Sequence, residues 1–121
     1  MGAKKYPIRL RYHAIVPEDG TGYVRSEILH RNRIIACQSI AFRNQTTKAG
    51  TTEVYIKQGA ALTFIFDQLA PEKNIWYWYP YTQFFKDGEQ LEVQMEDCLA
   101  DDILDLHIIG YTMYGPEALV E

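Results

Sequence analysis

Apolar residues recur at every second position along this chain, in short runs parted by turn signals about 12 residues apart. That pattern constrains the fold most, because strand side chains alternate between two faces while a helix repeats every 3.6 residues. Ile8, Leu10, Tyr12 and Ala14 alternate with Arg9, Arg11 and His13, which predicts a strand with one wet face. Further strands are predicted over residues 23–29, 34–42, 51–57, 62–66, 75–81, 91–95 and 103–113. In 34–42 apolar residues occupy both parities, which predicts a strand covered on both faces. Leu62, Phe64 and Phe66 alternate with Thr63 and Ile65, which predicts that the three share one face. Pro80 places its strand at an edge, at its end, or at a bulge, since proline donates nothing to a ladder. Residues 17–22, Asp87-Gly88 and the polar loop 44–50 read as reversals. The whole predicts an all-β chain: a single β-sandwich of jelly-roll type with eight or nine antiparallel strands. Residues 1–6 form an N-terminal arm, 7–113 the sandwich and 114–121 a tail, with one helical turn at most within 117–121.

Nine Tyr, five Phe and two Trp in 121 residues are a high aromatic content, suited to half-buried sheets and to interfaces. Charge is split along the chain. Residues 1–60 carry ten Lys/Arg and four Asp/Glu; residues 61–121 carry two and twelve, and the total is −4. If the early strands cluster, a basic surface faces an acidic one, an arrangement suited to heterologous contacts that close rings.

No apolar run approaches the ~18 residues of a membrane-spanning helix, so no membrane partner is expected. The basic start lacks the apolar stretch of a secretory signal, and Tyr6 stands where N-myristoylation needs Ser or Thr. Two cysteines make no disulfide framework. Cys37 and Cys98 lie among apolar neighbours and read as buried free thiols in preference to one bridge, which implies folding in a reducing cytosol. The sequon Asn44-Gln45-Thr46 matters only in a secretory pathway.

Candidate chemistry is sparse. His13, His30 and His107 show no i, i+2 or i, i+4 spacing and read as wet strand faces and a turn, so no metal or other cofactor is expected. The acidic group Glu96, Asp97, Asp101, Asp102 and Asp105 reads as solvated charge or a docking surface for basic groups, with a calcium loop as the alternative. There is no Gly-x-Ser-x-Gly elbow, no cysteine in a cationic setting and no phosphate loop, so no enzyme is expected. Lys4, Lys5, Arg9, Arg11, Arg25, Arg31 and Arg33 have the composition of a nucleic-acid footprint. The net charge of −4 opposes that, and outward arginines equally protect an edge strand.

The strongest local signal is Ile75-Trp76-Tyr77-Trp78-Tyr79-Pro80-Tyr81. Alternation puts Trp76 and Trp78 on one face, and Tyr77, Tyr79 and Tyr81 on the other. One face fills the core; the second calls for a covering element, a partner or a ligand. These five aromatics, with Lys4, Lys5, Arg9 and Arg11, are the candidate interface or ligand residues.

Residues 86–95, the short acidic loop to Asp102, and residues 103–111 ending Gly110-Tyr111 resemble the closing strands of small jelly-roll accessory proteins of phage virions, the head decoration (cement) proteins. The resemblance implies a symmetric oligomer, often a trimer, gripping a capsid on a virion assembled in a host cytoplasm. The resulting expectation is a non-enzymatic structural subunit acting through protein–protein contacts with itself and a capsid protein. The alternative is a carbohydrate-binding β-sandwich that stacks glycans on Trp76, Trp78, Tyr77 and Tyr79.

Overall fold

The computed structural model describes residues 4–30 and 32–114, and the regular structure there is all β. Nine strands run in order: β1 (Tyr6–Ile15), β2 (Gly22–Arg25), β3 (Arg33–Asn44), β4 (Thr52–Gln58), β5 (Ala61–Gln68), β6 (Tyr77–Tyr79), β7 (Gln83–Phe85), β8 (Gln90–Met95) and β9 (Ile103–Tyr114). Every pairing is antiparallel. One sheet runs β1-β9-β3-β6 with β7 also on β3, and the other runs β2-β8-β4-β5. Stacked, they form the jelly-roll-type sandwich that alternation predicts. Tyr6 and Tyr114, expected in the arm and the tail, are strand residues. The helical turn expected within 117–121 lies outside the described residues.

Alternation builds the core directly. On β9, Leu104, Leu106 and Ile108 are buried while Asp105, His107 and Ile109 face out. Leu91, Val93 and Met95 of β8 and Val54 and Ile56 of β4 meet them from the second sheet. Each such side chain contributes about 1.5–3 kcal/mol on burial. Beside β9 in its own sheet, β1 faces only the four-residue β2 across the sandwich, so its inner residues Ile8, Leu10, Tyr12 and Ala14 stay half-buried.

Four departures from regularity have local causes. Apolar residues fall on both parities of β3 because the ladder slips at Gln38: Cys37 pairs Gly110 and Ser39 pairs Ile109. This bulge brings Ile35, Cys37, Ile40 and Phe42 into one core, so the strand has a single inner face with a phase change. Gly110 lies beneath the bulge, where a Cβ would stand 1.9 Å from the Ala36 carbonyl oxygen. On β5 a second slip, between Tyr55–Phe64 and Val54–Phe66, leaves Ile65 unpaired. It turns Phe66 into the core while Leu62 and Phe64 face out, so these three do not share a face. The expected strand 23–29 stops at Arg25, because the Ser26 hydroxyl accepts the Leu91 N–H at 2.9 Å and takes over a ladder position. The expected strand 75–81 shrinks to β6, between Asn74 at φ 59° and Pro80, at the sheet edge.

The sequence-level charge split does not become two opposed faces. Strand β9, which carries Asp105, lies between β1 and β3 with their arginines, and Arg43 donates to Asp105 at 2.8 Å.

Candidate functional site

A polar groove occupies the outer face of the larger sheet. Its rows are set by register. Trp78, Ala41, His107 and Arg11 lie side by side across β6, β3, β9 and β1, and Arg43, Asp105 and His13 form the next row. Trp76, one residue before β6, lies beside that second row: its ring centroid is 4.3 Å from that of His107, and the Arg43 guanidinium is 4.5 Å from the ring. The small Ala41 between Trp78 and His107 leaves the face hollow. Arg11, His13, Arg43, Gln45, Asp105 and His107, with Trp76 and Tyr12, line a concavity of about 400 Å³.

Charge in the groove is unbalanced. Asp105 is committed to Arg43 and to the Gln45 amide, which donates at 2.7 Å. Among the described residues neither Arg9 nor Arg11 meets a carboxylate. Burial and the neighbouring Arg11 charge hold the His107 imidazole below the usual histidine range, so it is neutral at pH 7.

A second feature is the outer edge of β5. Among the described residues this strand pairs only with β4, and Ala61 to Phe64 are exposed on both parities. Leu62 is 45% and Phe64 53% exposed. Beside this edge the sandwich opens into a cavity of about 280 Å³ lined by Ile34, Ile56, Thr63, Phe84, Phe85 and the Lys86–Glu89 turn.

The residues singled out in sequence separate. Tyr77 and Tyr79 turn inward, Tyr77 stacked on Phe42 (6.1 Å) and Tyr79 on Phe66 (4.5 Å). Trp78 and Tyr81 are 63% and 68% exposed. Trp76, Arg9 and Arg11 share the groove face. Lys4 is exposed, and the Lys5 ammonium lies 4.9 Å from the Tyr111 ring. Sequence reasoning missed Arg43, Gln45, Asp105, His13 and His107 as one cluster, although all except Gln45 are outward positions of alternating strands. It also missed the outward turn of Leu62 and Phe64 on the β5 edge, which follows from the slip at Ile65.

The acidic loop is a structural clasp. Asp102 is buried, and its Oδ2 accepts from Asn44 Nδ2 (3.1 Å), from the Leu99 N–H (2.8 Å) and from the Thr47 hydroxyl. Burial pushes against ionisation, but hydrogen bonds from Thr47, Leu99 and Asn44 outweigh it and hold this carboxyl below its ordinary range. Asn44, the sequon residue, is fully buried and spends its amide here. Both cysteines are buried with free thiols. Burial pushes Cys37 up to about 12; burial and the Asp102 charge raise Cys98 to about 11.

Fold and surface together define a two-sheet β-sandwich bearing a polar groove and an unprotected edge. No family model matches the chain, and no curated protein matches it in sequence. Among solved structures it is similar to one described as Bacillus endospore appendages that form disulfide-linked pili. That likeness has a TM-score of 0.57 and 8% identity, covering 94% of this chain and 91% of the other. It is less similar to a family 4 carbohydrate-binding module (TM-score 0.42, 13% identity, 85% and 70% covered). The infectious bursal disease virus VP2 subviral particle is similar at TM-score 0.40 and 10% identity, with 93% of this chain and 33% of VP2 covered. The pilus likeness shows a shared fold.

Proposed function

We propose that this protein is a non-enzymatic structural subunit that assembles with further copies of itself through the β5 edge. The observation that supports this reading is the contrast between its two long sheet edges. β1 carries Arg9, Arg11, His13 and Pro7, the devices by which natural sheets resist edge-to-edge pairing. From Ala61 to Phe64 the β5 edge has no charge and no proline, and it is bare on both faces. The outer row of backbone donors and acceptors beside Leu62 and Phe64, unpaired among the described residues, suits a second chain. The finer reading, a decoration or cement subunit that trimerises on a phage virion and contacts a capsid protein, draws on the resemblance of residues 86–95 and 103–111.

Sedimentation equilibrium tests the proposal. A closed oligomer, a two-fold dimer where β5 pairs with β5 and a trimer on the finer reading, dissociates in the Leu62→Lys/Phe64→Lys variant, whose thermal midpoint stays within a few degrees because both side chains are exposed. A monomer at about 100 μM, well above the concentration at which a micromolar interface forms, refutes it.

The carbohydrate-binding alternative loses Tyr77 and Tyr79 to the core. It keeps one specific observation in its favour: Trp76 and Trp78 border the polar groove.

A further inference from the structure

The groove carries positive charge on a chain whose net charge is −4. Arg43 is neutralised by Asp105, which leaves Arg11, with Arg9 beyond it, facing the cavity side without a counter-charge among the described residues. A cationic centre beside an aromatic ring and several directional donors fits a ligand with a ring and an anionic group. Six of the eight lining residues carry polar or charged side chains. The volume of about 400 Å³ lies within the ordinary range for small-molecule sites.

We infer that this groove binds a short acidic saccharide, its anionic group on Arg11 and its ring beside Trp76, with hydroxyls meeting His13, Arg43 and Gln45. A nucleic acid is the competing polyanion. It fits less well, because beyond Ile15 and Ile103, which are paired at one end of β1 and β9, lie the exposed acids Glu18, Asp19, Asp97 and Asp101. They repel a long polyanion leaving that end of the groove and leave a two- or three-ring ligand untouched. The inference does not depend on assembly at β5, which lies in the other sheet, so a monomeric protein leaves it standing.

Calorimetry and tryptophan fluorescence on the full chain test it, with trigalacturonate, neutral maltotriose and hexathymidylate as probes. Trigalacturonate is expected to bind with a Kd below about 1 mM and maltotriose about tenfold more weakly. Arg11→Ala lowers trigalacturonate affinity about tenfold, while Lys57→Ala, on the other sheet, changes it less than about twofold. The fluorescence change disappears in Trp76→Phe. Binding of maltotriose as tight as trigalacturonate, tighter binding of hexathymidylate, undiminished binding by Arg11→Ala, or no binding of trigalacturonate at about 10 mM each overturns it.

Discussion

Replacing Asp102 tests whether the acidic loop is held by its charge. Three donors converge on one carboxylate oxygen, from Asn44, Thr47 and Leu99. Asp102→Ala removes the acceptor and strands them. The Asn44 amide is fully buried and bears the whole cost of a lost partner, roughly 1–3 kcal/mol, while the half-buried Thr47 hydroxyl and the Leu99 N–H recover part of theirs from water. The expected loss is about 3–4 kcal/mol. At about 2.1 cal/mol/K per residue, a chain of this length has an unfolding entropy near 0.25 kcal/mol/K, so the thermal midpoint falls by roughly 12–16 °C. Asp102→Asn keeps a neutral acceptor and is expected to lose only about 1–1.5 kcal/mol. The two readings separate on pH. A carboxyl whose folded pKa is depressed stabilises above its unfolded pKa, and that stability drains away as pH falls through the folded value. The urea-derived stability gap between wild type and Asp102→Asn should therefore be constant above about pH 5 and narrow steadily from there toward pH 3. A gap that stays flat over that range refutes the charge argument, and an Asp102→Ala variant within about 1 kcal/mol of wild type refutes the clasp itself.

Gly110→Ala drives a Cβ into the Ala36 carbonyl oxygen; a loss above about 4 kcal/mol is expected, and a thermal midpoint within a few degrees of wild type contradicts the close approach. Arg25→Ala leaves the buried Glu92 carboxylate without the guanidinium that reaches it at 2.5 Å. Since Arg25 is itself partly exposed, the cost is about 2 kcal/mol, below that of a fully buried pair. A urea-derived loss under about 0.5 kcal/mol rejects this, and Arg25→Met with Glu92→Leu should recover most of it. Cys37 and Cys98, with thiols raised to about 12 and 11, hold almost no thiolate at about pH 8. Both should resist Ellman's reagent in the native protein and react at once in urea; a thiol that titrates within minutes without denaturant contradicts their burial.

Fold class was legible because alternation survives on β8, over residues 8–14 of β1 and over residues 104–108 of β9, where inner and outer residues differ in polarity without interruption. It failed wherever one residue breaks phase. Nothing in Ile34 to Phe42 distinguishes a bulge at Gln38 from a strand covered on both faces, since the slip is set by Gly110, on a strand distant in sequence. The same holds for Ile65. Ser26 does carry a readable signal, a hydroxyl able to capture a backbone amide at a strand end. Of the candidate site, the alternation of Trp76 and Trp78 against Tyr77 and Tyr79 was visible, and it predicts their opposite faces. The groove was not, because Arg43, Asp105 and His13 meet only through cross-strand register.

The slip at Gln38 also governs which length changes this gene tolerates. Excising that one codon leaves Cys37 opposite Gly110 and Ser39 opposite Ile109, so the register and the inward set Ile35, Cys37, Ile40 and Phe42 survive. Adding one codon to a regular stretch of the same strand, between Ala41 and Phe42, instead throws everything on one side of it onto the wrong face. Selection should therefore spare a one-codon deletion at position 38 and remove a one-codon insertion only three residues further on.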